Sequence, residues 1–120
     1  MTNDEIDEFV SRYITEMQNT TSDETSEWGA LENLTDSEPG TAWRVITRLV
    51  AKSPDMYVHQ IGAGPLESLL SNRPELIGMA IELATTNTKF REALRFVRGV
   101  EISTEYQEAY NQLWRSDHDL

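Results

Sequence analysis

Ile6-Asp7-Glu8-Phe9-Val10-Ser11-Arg12-Tyr13-Ile14-Thr15-Glu16-Met17 is the stretch that decides the fold class. Ile6, Phe9, Val10, Tyr13, Ile14 and Met17 recur at i, i+3, i+4, i+7, i+8 and i+11, which places them on one face of an α-helix. Thr2 or Asn3 can cap this helix, and Asp4, Glu5, Asp7 and Glu8 crowd its first turns, where the helix dipole favours anions. Working outward from it, the same period recurs along the chain, and no run of alternating apolar and polar residues is long enough for a strand.

After the polar stretch 19–26, a short second helix carries Trp28, Leu31 and Leu34, with Gly29 as a weak point inside it. Asp36-Ser37-Glu38-Pro39 reads as a helix start with Ser37 as the cap and Pro39 in the first turn. The helix it opens carries Ala42, Trp43, Ile46, Leu49 and Val50 on one side and Arg44, Arg48 and Lys52 on another, until Ser53-Pro54 ends it. Pro54 opens the next, with Met56, Tyr57, Val58 and Ile61. Gly62-Ala63-Gly64-Pro65 reads as the sharpest break in the chain, followed by a short helix with Leu66, Leu69 and Leu70.

From Pro74, apolar residues lie almost all round the helix, so it is expected to be the central and most buried one, with Gly78 marking a close crossing. The following helix turns Phe90, Ala93, Leu94 and Val97 inward, carries a second basic stripe of Arg91, Arg95 and Arg98, and is capped by Gly99. The last helix starts near Ser103 and buries Tyr106, Ala109, Tyr110 and Leu113. The expectation is an all-α single domain of six to seven short helices packed as antiparallel hairpins. Its acidic N-terminal helical region is 1–40, its helical core 41–115 and its frayed tail 116–120.

Composition excludes whole classes of function. With no cysteine among 120 residues, disulfides, cysteine-ligated zinc and thiol catalysis are excluded. Met1-Thr2-Asn3-Asp4-Glu5 lacks the basic and apolar runs of a secretory signal, and no segment approaches a membrane span in length, so a cytoplasmic location without membrane contact is expected.

The net charge of −11 is segregated. Residues 1–40 hold eleven acids and one base, residues 41–100 five acids and eight bases, and residues 101–120 five acids and one base. Such a distribution bears on partners and association rates.

The motifs that could carry chemistry have plainer readings. Gly62-x-Gly64 before a helix suggests phosphate binding, but no strand precedes it and no Lys-Ser or Lys-Thr follows. With Gly64 at the cap, Glu67 would sit three residues in and supply the chain's own anion. His59 has no second histidine or carboxylate at metal-ligand spacing, and Ser116-Asp117-His118-Asp119 cannot hold a catalytic triad as consecutive residues. The two basic stripes could form an anion site or pair internally. The three tryptophans stand at helical spacing as core anchors.

Ala42-Trp43-Arg44-Val45-Ile46, then Ile61-Gly62-Ala63-Gly64-Pro65-Leu66-Glu67-Ser68-Leu69-Leu70, then Lys89-Phe90-Arg91-Glu92-Ala93-Leu94, resemble an uncharacterised family of small bacterial helical domains. The resemblance covers roughly residues 28–100 and implies a bacterial or phage origin and a helical domain, with no activity attached.

The functional expectation is a non-enzymatic protein-binding module of the immunity or inhibitor kind, docking an acidic surface on a basic protein partner. Asp23, Glu24, Glu27, Asp36 and Glu38 are the contact candidates and Trp28 the anchor. No cofactor, no metal and no direct nucleic-acid binding are expected. Two alternatives stand beside it. One is a nucleic-acid mimic whose carboxylates imitate phosphates; the other is a small-ligand binder or enzyme with its site near Gly62–Glu67.

Overall fold

The chain enters its first helix through a reciprocal cap. Thr2 Oγ1 accepts from the Glu5 backbone N–H at 3.2 Å, and the Thr2 N–H donates to Glu5 Oε1 at 2.8 Å. Each satisfies a backbone donor that a helix start leaves open, so Thr2, not Asn3, is the cap. The structure, a computed structural model, describes residues 1–19, 26–98 and 100–118, with the side chains at 19, 26–28 and 115–118 outside that description.

Seven helices follow one another among the described residues: α1 (Asn3–Asn19), α2 (Ser26–Ser37), α3 (Pro39–Lys52), α4 (55–72), α5 (74–86), α6 (Thr88–Arg95) and α7 (Thr104–His118). The fold is all-α, in one compact domain. Its radius of gyration is 14.0 Å, against about 13.6 Å for a compact chain of this length.

α3 is the centre. It packs against α1, α2, α4 and α6, and Ala42, Val45, Ile46, Leu49 and Val50 are all buried along it. Across from them stand Ile6, Phe9, Val10 and Tyr13 of α1 and Leu31 of α2, also buried. α1 and α3 run in the same direction, since Arg44 reaches Met1 and Asn3 while Arg48 reaches Asp7.

Ser37 does not cap α3. It ends α2, where its hydroxyl donates to the Asn33 carbonyl at 2.9 Å. The cap position falls on Glu38, whose φ of −140° and ψ of 71° make the corner between the two helices. A residue before proline is kept out of the helical region by the proline ring.

The expected break at Gly62–Pro65 is not a break. α4 runs from a 3₁₀ turn (Asp55–Tyr57) through an α turn (Val58–Ile61) into a π turn (Gly62–Leu66) and on to Glu67–Asn72. Pro65 has no N–H to donate and its ring crowds the carbonyl four residues back, and widening the helix to the π form absorbs both. Gly62 keeps ordinary helical dihedrals (φ −65°, ψ −47°). Its lack of a side chain serves packing, because a Cβ there would fall on the Ala93 carbonyl oxygen of α6.

The helix at 74–86 is not central either. α5 lies at the edge, packed chiefly on α6 and α7. Gly78 does mark a close crossing, with the Tyr106 ring of α7 3.0 Å from where its Cβ would be. Asn87 alone separates α5 from α6, and its Oδ1 accepts from the Phe90 N–H at 3.0 Å as an N-cap.

α6 ends at Arg95, with Phe96 as its last cap, so Arg98 falls beyond the helix and the expected three-residue stripe does not continue to it. Gly99 lies outside the described residues. α7 buries Leu113, half-buries Tyr106, Tyr110 and Trp114, leaves Ala109 exposed, and stays helical to His118, past the expected start of fraying.

Candidate functional site

The acidic N-terminal region meets the basic middle along the α1–α3 seam. Arg44 donates to Asn3 Oδ1 at 2.7 Å and to the Met1 carbonyl at 3.3 Å, and Arg48 donates to Asp7 Oδ1 at 2.8 Å. Arg44 and Arg48 of the first basic stripe are therefore directed at the chain's own N-terminal helix, while Lys52 is exposed. Arg48 and Asp7 are each about two-fifths exposed, a setting in which an ion pair contributes roughly 0–1 kcal/mol.

Other cations likewise engage groups of this chain. Lys89 donates to the Ser53 carbonyl at 2.6 Å and the Ala51 carbonyl at 3.2 Å, closing the C-terminal end of α3 where a positive charge suits the dipole. Arg73 donates to the Asp36 carbonyl at 3.1 Å. Arg95 lies 3.3 Å from Glu92 and 5.3 Å over the Trp114 ring, which in turn meets Tyr110 edge-on at 5.4 Å. The two stripes do not combine into one anion site, because α3 directs its arginines at α1 while α6 directs Arg95 at α7.

Of the six expected contact residues, Asp36 and Glu38 are those whose side chains the structure describes. Asp23 and Glu24 lie outside the described residues. Glu27 and Trp28 occupy the first turn of α2 and their side chains also lie outside the description. Asp36 and Glu38 stand at the opposite end of that helix, roughly 14 Å further along its axis at 1.5 Å per residue. Both are exposed. Asp36 Oδ1 already accepts from Asn72 Nδ2 at 3.2 Å, which ties α2 to the end of α4, while Glu38 makes the corner before α3.

Further exposed acids lie on other helices. Asp4, Glu5 and Glu8 lie on the outer side of α1, Glu75 and Glu82 on α5, and Glu101, Glu105 and Glu108 at and after the entry to α7. Hydrogen bonds to Thr2 hold the Glu5 carboxyl below its ordinary value, so its charge is secure at neutral pH. The outer acids of α1 could have been found from sequence by reading the complement of the Ile6–Met17 face.

Near Gly62–Glu67 the geometry differs from what a ligand site there would need. Gly62, Pro65 and Leu66 are buried in packing, and Glu67 Oε1 accepts from the Arg98 backbone N–H at 2.7 Å, so it does not cap its own helix. A small cavity lies instead between Leu70, α5, Leu94, Val97, Val100, Ile102 and Tyr110. Its walls are almost wholly apolar and it holds about 10 Å³, the room of a single water.

His59 is exposed and packs edge-on to Phe96 at 5.8 Å. Among the described residues there is no group of three or more side chains able to hold a metal ion, and no helix long and apolar enough to cross a membrane. Trp43 is half-buried and meets Phe90 edge-on at 5.7 Å, so it anchors the core.

Met79 of α5 is 46% exposed, while Leu76 and Leu83 of the same helix are half-buried and packed against the core. In sequence Met79 resembles a core position, and the peripheral placement of α5 leaves it outward. Compared with known proteins, the chain matches no family model, no curated protein and no solved structure.

Proposed function

We propose that this chain is a non-enzymatic protein-binding module of the immunity or inhibitor type, which docks an acidic surface on a basic protein partner. The observation that carries the reading is the fate of the cations. Arg44, Arg48, Arg73 and Lys89 direct their donors at carbonyls and carboxylates of this same chain, while Asp4, Glu8, Asp36 and Glu38 face solvent. A chain of net charge −11, with these four bases engaged by its own groups, presents a negative field to any approaching protein. Such a field speeds encounter with a basic partner and discourages acidic ones.

The nucleic-acid mimic is the weaker account, because it needs an ordered stripe of carboxylates. The exposed acids of the described residues are instead carried by α1, the α2–α3 corner, α5 and α7.

Capture from native lysate at low and at high salt tests the proposal. A stoichiometric basic protein should be retained at low salt and released at high salt, and Glu38→Lys should slow its association several-fold. Recovery of no stoichiometric partner, or of one held equally at both salt concentrations, would remove the support for it.

A further inference from the structure

Helices of similar length are held very differently in this fold. α3 buries Ala42, Val45, Ile46, Leu49 and Val50, whereas α7 buries Leu113 alone among its described side chains. Tyr106, Tyr110 and Trp114, about a turn apart on the same side as Leu113, are half-buried. α5 is the helix chiefly packed against α7. The connection from α6 holds no helix among its described residues, and the Arg98 N–H, donating to Glu67 Oε1 at 2.7 Å, ties its root to α4. The seam beneath α7 is also where packing is incomplete. Ile77, Ala80 and Ile81 of α5, with Leu70 and Leu94 beside them, floor the small cavity. Val100, Ile102 and Tyr110 close it from the other side. Atoms that line a void lose attractive contacts there, so this roof is held less firmly than a filled interface would hold it.

We propose that α7, with Val100 and Ile102 ahead of it, is a hinged strap that lifts as a unit while α1 to α6 stay folded, uncovering an apolar groove floored by Ile77, Ala80 and Ile81. Partial opening of a fold takes the element with few buried apolar contacts and leaves the rest in place. α6, the other principal neighbour of α5, holds the floor when the strap is away. The closed cavity, of about 10 Å³, has no room for anything larger than a water. The groove is therefore open to other molecules only when the strap has lifted. This inference is independent of the basic-partner reading, which concerns the outer charge of the molecule.

The chain has no cysteine, so single-cysteine variants of the full chain report opening by their rate of thiol labelling. Ala80→Cys lies on the groove floor and Ala42→Cys in the centre of α3, and both positions are fully buried. At low urea, Ala80→Cys should label at least about tenfold faster than Ala42→Cys, and with a weaker dependence on urea, because the opening exposes less surface than unfolding does. Gly78→Ala adds a Cβ 3.0 Å from the Tyr106 ring, which presses on the strap, while giving α5 a better helix former. It should speed the labelling of Ala80→Cys about tenfold and leave that of Ala42→Cys unchanged. Amide exchange in the unsubstituted chain shows what moves. The amides of α7 should exchange together, with little urea dependence and ahead of those of α5. Equal labelling of the two cysteine variants at every urea concentration means that only global unfolding reaches the groove, and overturns the inference. Exchange of α5 and α7 at one rate makes them a single unit and overturns it too, as does graded loss from the C-terminal end of α7, which is fraying. Because the exchange measurement needs no substitution, it decides the matter even where a variant fails to fold.

Discussion

At Gly62 the space for a side chain is taken by the Ala93 carbonyl, a backbone atom that cannot swing aside. Gly62→Ala should therefore force α4 and α6 apart and lower stability by about 3 kcal/mol, read as a fall in the denaturant midpoint. A midpoint within error of wild type would contradict the close contact. Tyr13 shows a different constraint. Burial first, then the charges of Glu32 and Glu16, push its phenol well above the ordinary value. The folded state therefore keeps the proton where the unfolded chain, with a phenol pKa of about 10, releases it. The stabilisation is complete below pH 10 and is lost as pH rises beyond it. Tyr13→Phe should match the wild type at pH 7 and lose less Tm than the wild type above pH 10. Superimposable pH profiles of the two proteins would refute this assignment.

α2 carries a glycine with nothing within 4 Å of where its Cβ would be. Gly29→Ala should stabilise the protein by about 0.5–1 kcal/mol, because the unfolded chain loses freedom and nothing in the fold is displaced. The check is a higher urea midpoint at unchanged slope, and a lower midpoint would mean that an unseen neighbour occupies that face. Elements were legible in the sequence where local signals agreed. The period of Ile6–Met17, the cap candidate Thr2 and the prolines at 39, 54 and 74 each correspond to an observed helix or helix start. They misled where one local signal had two physical uses. Gly62 and Pro65 suggested a turn because glycine and proline usually make one, whereas here the glycine admits a neighbouring carbonyl and the proline sits in a widened helical turn.

Across the whole molecule, 21 acids oppose 10 bases, and the ion pairs Arg48–Asp7, Lys89–Asp55 and Arg95–Glu92 are partly exposed. Self-repulsion should then outweigh the attraction lost on screening. Raising ionic strength from about 0.01 M to about 0.15 M shortens the screening length from about 30 Å to about 8 Å. Tm should rise by about 4 °C, the equivalent of about 1 kcal/mol in a domain of this size. A fall in Tm over the same range would mean that the surface pairs, such as Arg48–Asp7, dominate instead. The same imbalance makes the site question one of the whole surface. Of the contact residues read from sequence, Asp36 and Glu38 share one corner, Glu27 and Trp28 begin the far end of the same helix, and Asp23 and Glu24 lie outside the described residues.

The sequence by itself determined that the chain is helical, about how many helices it has and where most of them begin. Those are properties of neighbouring residues, set by a period of 3.6 and by capping and proline chemistry within a few positions. It also determined the sign of the charge and its segregation. Only the tertiary structure decided which helix is central and which partners Arg44, Arg48 and Arg95 meet. Gly62 and Ala93 are distant in the chain, as are Arg48 and Asp7, and no local pattern records such pairings. α5 shows the division most clearly, because its near all-round apolarity suggests a central place, while packing puts it at the edge and leaves Met79 exposed.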